Sequence, residues 1–108
     1  MEQLNKNEIG VLSNNIDTSK LKKEFLEKVS SIPFDRLSID DQAKIIQSSM
    51  MLQMHDSDKT SLTEKEIKDA VEKFIILCAL EYFVKEGLLI GKGKGFNRKF
   101  KKQENGKL

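Results

Sequence analysis

Apolar residues recur every three or four positions along the first patterned stretch of the chain. Those of residues 18–32 would share one face of a helix, and they are Leu21, Phe25, Val29 and Ile32. Thr18 or Ser19 can cap its start. Pro33 should end it, because the residue before a proline is disfavoured in helical conformation. The pattern therefore predicts a first amphipathic helix over residues 18–32.

A similar pattern predicts a second helix over residues 38–54. Ser38 followed by Asp41 resembles a capping box with Asp in place of Glu. One stripe of this helix is expected to face the core, and it consists of Ile39, Ala43, Ile46, Met50 and Met54, with Ile45 and Leu52 beside it. Residues 55–61 are polar and are predicted to form a loop.

The third patterned stretch has clear signals at both ends. Thr63 and Glu66 form a capping box, and Gly87 suits the position just past a helix C-terminus. Residues 74–80 contain no charge, and a helix that is apolar all round is buried all round. We expect this core segment to be covered by the first two helices or shared with a second subunit. Whether residues 63–86 form one helix or two stays open.

The pattern changes again in residues 88–101. A short apolar run leads into a turn rich in glycine and lysine, and Phe96, Arg98 and Phe100 then follow at period two. This arrangement is typical of a β-hairpin with a basic tip. The predicted fold class is mainly α, a three-helix domain with a long buried third helix and a wing-like C-terminal β-hairpin.

A length of 108 residues corresponds to one domain. The division predicted from composition is a flexible arm over residues 1–16, a single helical domain with its hairpin over 17–101, and a basic tail over 102–108. The longest uncharged apolar run is far shorter than the roughly 20 residues of a membrane-spanning helix. We therefore expect a cytoplasmic protein with no membrane partner. The apolar third helix favours a homo-oligomer, such as a dimer.

Charge is divided unevenly between the two ends of the chain. Residues 91–108 carry seven basic residues and one acidic residue, whereas the first ninety carry 12 basic and 16 acidic ones. A basic end of this kind favours an anionic partner, most simply nucleic acid. The alternative is a solvated turn whose charge serves solubility. The residues predicted to contact phosphates are Lys92, Lys94, Arg98, Lys99, Lys101 and Lys102.

Residue types that catalyse reactions or bind metals are scarce. His55, the single histidine, would need a nucleophile beside it, but Cys78 lies in an apolar run and is expected to be a buried thiol. The segment from Asp56 onward resembles a calcium loop only loosely, because Ser61 stands where glycine is needed and Ile67 where a bidentate glutamate is needed. The sequence predicts no enzyme, no metal site and no cofactor.

Residues 62–100 resemble the second half of a winged-helix DNA-binding domain. The segment 62–67 is similar to the opening of that family's second helix. The segment 79–100 is similar to the end of a recognition helix that runs into a two-stranded wing with a glycine-rich basic tip. The resemblance implies that residues 38–54 are the first helix of the domain. It also implies contacts to the nucleic-acid backbone from Lys92, Lys94, Arg98 and Lys99.

Two functions fit these patterns. The first is a small regulator or accessory protein that binds nucleic acid, with DNA preferred to RNA, through phosphate contacts from the basic hairpin. The second is a protein–protein interaction module, an adaptor or inhibitor whose basic end meets an acidic protein surface. A small Lys- and Asn-rich chain of this kind would suit a phage or mobile-element protein.

Overall fold

A computed structural model describes residues 21–104 of the chain. Within this range the chain forms three α-helices followed by a two-stranded antiparallel hairpin. They are α1 (Lys23–Ser31), α2 (Ile39–Ser57), α3 (Glu64–Lys85), β1 (Leu89–Lys92) and β2 (Lys99–Lys102). The predicted fold class, mainly α with a C-terminal hairpin, is confirmed. The arm predicted over residues 1–16 and the caps predicted at Thr18 and Ser19 lie outside the described residues.

The end of α1 and the starts of α2 and α3 lie where local sequence signals indicate, but α1, predicted from residue 18, begins at Lys23, and its cap position Lys22 makes no side-chain hydrogen bond. Ile32, the residue before the proline, has extended backbone angles (φ −116°, ψ 130°) and follows the last residue of α1. The Ser38 hydroxyl accepts the backbone N–H of Asp41 at 3.1 Å and caps α2. Thr63 and Glu66 cap α3 reciprocally, each side chain accepting the other's backbone N–H, at 3.2 and 2.9 Å. α2 continues to Ser57, so the predicted loop over 55–61 begins three residues late.

α3 is one unbroken helix of 22 residues. It ends in a Schellman motif, in which Gly87 has a φ of +82°. The N–H of Gly87 donates to the Val84 carbonyl, and the N–H of Leu88 donates to the Phe83 carbonyl. The turn that a helix-turn-helix would need is therefore absent between Glu64 and Lys85.

The predicted core-facing stripe of α2 is wrong, although Ile45 and Leu52, expected beside it, are buried. Ile39 is 77% exposed and Ile46 is 36% exposed, and the buried face instead consists of Asp41, Ile45, Ser49 and Leu52. Two of these residues are polar, so a search for apolar periodicity misplaces the face. Both are satisfied, because Asp41 pairs with Lys28 of α1 at 3.0 Å and the Ser49 hydroxyl donates to a backbone carbonyl one turn earlier.

α3 is the central core element, but the prediction that residues 74–80 are buried on every side is also wrong. Phe74, Leu77 and Cys78 are buried, whereas Ile76 is 61% exposed. α1 and α2 pack against one part of the helix and the hairpin packs against another. The remaining side carries Ile76 and, seven residues on, Phe83, which is 43% exposed. We call these two residues the apolar strip.

Candidate nucleic-acid interface

The hairpin presents five of the six predicted contact residues to solvent. Its strands pair in a register that runs from Leu89 opposite Lys102 to Lys92 opposite Lys99. Because side chains alternate between the two faces of a strand, one face of the hairpin carries three lysines, which we call the basic face: Lys92, Lys99 and Lys101. Together with two further exposed residues, Lys94 and Lys102, they are the hairpin lysines.

Positive charge on the basic face is not neutralised within the described part of the chain. None of the salt bridges among residues 21–104 includes a hairpin lysine. Lys92 and Lys99 are direct cross-strand partners, and like charges in that arrangement disfavour strand pairing. Lys99 and Lys101 are about 7 Å apart along β2. A row of anions on this face would offset the repulsion.

The structure corrects the prediction that Arg98 contacts phosphates. Its side chain is 7% exposed and pairs with the fully buried carboxylate of Glu81 on α3. The Nε and Nη2 groups donate to that carboxylate, and Nη1 donates to the backbone carbonyl of Gly93 at 2.8 Å. The guanidinium is therefore engaged inside the fold. Arg98 ties the hairpin to α3 and is not presented to a phosphate.

Glu81 is the important residue that sequence reasoning missed. It is the only charged residue between Phe74 and Val84. A lone carboxylate in an apolar helical run needs a buried cation or hydrogen-bond donors. The isolated position of Glu81 in the sequence was therefore the signal that could have indicated a buried ion pair. The sequence did not indicate which of the basic residues would supply the partner.

Gly91 makes room for the guanidinium of Arg98. A Cβ atom at position 91 would lie 2.6 Å from Cζ of Arg98, so a side chain there would collide with the buried ion pair. The sequence predicted that the glycines form the turn of a basic tip. At least one of them, Gly91, instead has a packing role.

The loop that joins the two strands is anchored on the end of α2. The N–H of Phe96 donates to Oδ2 of Asp56 at 3.2 Å. Gly95 is buried with a φ of +63°, and a Cβ there would lie 3.3 Å from Leu52. Asp56 begins the segment that loosely resembles a calcium loop in sequence. In the structure it anchors the hairpin to α2. Residues 21–104 contain no group of three His, Cys, Asp or Glu side chains placed to hold a metal ion.

A shallow groove of about 210 Å³ lies between α3 and the hairpin. Its lining residues are Lys73, Ile76, Leu77, Leu80, Phe96, Arg98 and Phe100. The ammonium of Lys73 lies 5.7 Å from the centroid of the Phe96 ring, and the guanidinium of Arg98 lies 5.4 Å from that of Phe100. The groove thus combines aliphatic and aromatic walls with two cations.

The one cysteine is poorly suited to nucleophilic chemistry. Cys78 is fully buried in the core, and this burial, with a smaller contribution from Glu81, raises the pKa of its thiol to about 12. A thiol must ionise to act as a nucleophile, so Cys78 stays protonated at neutral pH.

No protein-family model, curated protein or solved structure matches this chain. The winged-helix resemblance therefore rests on sequence pattern alone, and the unbroken α3 provides no recognition helix after a turn. Within residues 21–104, no helix has the length and apolar character needed to cross a membrane.

Proposed function

We propose that this protein is a small non-enzymatic regulator or accessory factor that binds nucleic acid by contacting phosphates with its hairpin lysines. The observation that carries the proposal is the basic face, where Lys92 and Lys99 are direct cross-strand neighbours without a carboxylate partner in the described chain. Such an arrangement costs stability unless an anion is present. A polyanion with regularly spaced charges suits it best.

Phosphate contacts of this kind position a nucleic acid without reading its sequence. Base reading in a duplex requires side chains that enter a groove, and the middle of α3 is committed to the core. The proposed contacts therefore supply affinity and not sequence specificity. The preference for DNA over RNA stays a prediction. Arg98 does not belong to the proposed contact set.

A salt titration with matched variants tests the proposal. The hairpin variant changes four lysines to Gln: Lys92, Lys94, Lys99 and Lys101. The control variant changes four other exposed lysines to Gln, which lie on the helices or beside them: Lys22, Lys44, Lys65 and Lys68. Both lose four positive charges. For a labelled 20-base-pair duplex, log K should fall with log salt by about 0.9 per phosphate contacted.

The hairpin variant should lose most of its affinity and most of the salt slope, whereas the control should keep both. Equal losses in the two variants would show that only net charge matters. No measurable binding by the unmodified protein to either duplex or single-stranded nucleic acid at low salt would refute the proposed function.

The apolar strip favours the second candidate, an adaptor or inhibitor that docks on a larger protein. Contiguous exposed apolar patches mark contact surfaces on many proteins, and Ile76 and Phe83 lie on the same side of α3. Changing Ile76 and Phe83 together to Gln should then abolish binding to the partner protein. Changing the hairpin lysines to Gln should leave that binding intact. The expected homo-oligomer would use the same strip, and sedimentation velocity over a range of concentrations tests it.

A further inference from the structure

The groove between α3 and the hairpin has walls that suit one flat apolar ring. Phe96 and Phe100 contribute aromatic surface, and Ile76 forms an exposed aliphatic rim. No acidic residue is among its described lining residues. Its volume of about 210 Å³ is below the roughly 300–1,000 Å³ of pockets that hold whole small-molecule ligands. The groove is therefore large enough for a single ring system but too small for a complete cofactor.

Positive charge lies at both edges of the groove. Lys73 projects from α3 over the ring of Phe96. On the other side, the hairpin carries Lys94 at its tip and Lys102 on the same face as Phe100, whereas the basic face lies on the opposite side of the hairpin. The occupant should therefore combine closely spaced anions with an apolar ring. A single strand of nucleic acid has this chemistry, with one phosphate and one unstacked base per unit.

We propose that the protein binds single-stranded nucleic acid, with one base seated in the groove against Phe96 and the adjoining phosphates on Lys73, Lys94 and Lys102, from which the strand continues around the hairpin to the basic face. The inference rests on the proposed function and narrows its ligand. In a duplex the bases are paired and stacked, so none is available to enter the groove. Lys73 is exposed, and its flexible side chain can leave the ring face of Phe96 to meet a phosphate.

A second copy of the chain is a poorer occupant of this groove. A second copy that docked groove to groove about a two-fold axis would bring its own hairpin lysines toward those of the first copy, and like charges would meet.

Matched variants of the groove test the inference in the 108-residue chain. Phe96→Leu keeps an apolar side chain but removes the aromatic ring, and Ile76→Gln removes the aliphatic rim. Phe83→Leu makes the same chemical change as the first variant at an exposed position that does not line the groove. Fluorescence anisotropy would measure binding to labelled dT20, rU20, a 20-base-pair duplex and poly-glutamate, and urea unfolding would show that each variant is folded.

The unmodified protein should bind dT20 or rU20 more tightly than the duplex at the same salt concentration. Phe96→Leu and Ile76→Gln should weaken single-strand binding, by about 5- to 150-fold for loss of the ring, and leave duplex binding unchanged. Phe83→Leu should match the unmodified protein.

Equal single-strand affinity in Phe96→Leu, Ile76→Gln and the unmodified protein would overturn the inference. So would duplex binding as tight as single-strand binding, or poly-glutamate binding that shows the same dependence on Phe96. In each of these cases the proposed function stands if neutralising the hairpin lysines abolishes nucleic-acid binding. If no nucleic acid binds at all, the proposed function itself fails.

Discussion

Glu81 and Arg98 place opposite charges inside the fold, at the junction of α3 with the hairpin. Their side chains are 0% and 7% exposed, so both groups have lost most of their hydration. Attraction between two buried charges offsets that loss only if hydrogen bonds satisfy both groups. Here the guanidinium has the carboxylate and the Gly93 carbonyl as acceptors. The pair therefore fixes where the hairpin sits on α3.

Glu81→Gln should lower the free energy of unfolding by about 3–5 kcal/mol, because it leaves the guanidinium of Arg98 buried without a counter-ion. Urea unfolding followed by circular dichroism measures the change. The double variant Glu81→Leu with Arg98→Met removes both charges and should regain much of the lost stability. Glu86→Gln is the control, since Glu86 pairs with Lys23 at the surface and should matter little. A Glu81→Gln protein as stable as the control would contradict this account.

Gly91→Ala should destabilise the protein by about 1–3 kcal/mol, because the new Cβ would crowd the guanidinium of Arg98. The same substitution should cost less in the background with Glu81→Leu and Arg98→Met, where a flexible apolar side chain replaces the guanidinium. Comparing urea midpoints in the two backgrounds checks this. The interpretation is wrong if the cost is the same in both.

At the scale of elements, side-chain caps set where the helices start. Thr63→Ala removes the acceptor for the backbone N–H of Glu66 and should cost about 0.5–2 kcal/mol. Ser61→Ala, two residues earlier in the exposed loop, removes the same kind of hydroxyl without touching the cap and is the matched control. Urea unfolding of both variants makes the comparison, and equal midpoints would argue against the cap as a stabilising feature.

The contact between α1 and α2 should make stability sensitive to acid. The hydrogen bond from Lys28 holds the pKa of Asp41 below its ordinary value of 3.8. A group whose pKa is lowered by folding adds stability above its ordinary pKa, and this contribution is lost as the pH falls through the folded value. Lys59 lowers the pKa of Glu66 from its ordinary value of 4.5 in the same way.

The urea midpoint should therefore fall as the pH drops from about 5 toward 3. Asp41→Asn and Lys28→Gln should each flatten that fall, because either change removes the interaction that lowers the pKa. Lys22→Gln, at an exposed lysine just before α1, should keep the original slope. If Lys28→Gln also keeps it, the contact between α1 and α2 does not cause the acid sensitivity.

At the scale of the whole molecule, the hairpin is part of the core and not an appendage. Phe96 and Phe100 pack against the core cluster. The loop is bonded to Asp56 on α2, and β2 follows directly after Arg98. The five hairpin lysines are thus displayed from a surface that is fixed to two different helices.

Removing residues 91–108 should destabilise the entire domain, because it deprives Glu81 of its buried counter-ion and the core of two aromatic rings. The untruncated variant with Lys92, Lys94, Lys99 and Lys101 changed to Gln should have a midpoint of thermal unfolding close to that of the unmodified protein. Thermal unfolding of the two proteins checks this. A truncated protein with an unchanged midpoint would show that the hairpin is an independent appendage. Binding tests should therefore use the point variants.

The sequence by itself determined the end of α1, the start of α2, both ends of α3 and the division of charge. These boundaries are set by contacts between residues a few positions apart, so they can be predicted from short stretches of sequence. The examples are the proline after α1, the capping box of Thr63 and Glu66, and Gly87. The period-two pattern and the glycines likewise predicted the hairpin, although Phe96 lies in a short 3₁₀ turn (Gly95–Asn97) and β2 begins only at Lys99.

Tertiary structure alone decided which predicted contact residues face solvent. Arg98 and the hairpin lysines look equivalent in sequence, and only the approach of β2 to α3 pairs Arg98 with Glu81, 17 positions away. The buried face of α2 and the exposure of Ile76 likewise depend on how the elements pack. The groove exists only once α3 and the hairpin are in contact. Local patterns do not specify such distant pairings, because those are set by the total burial and the charge balance of the whole fold.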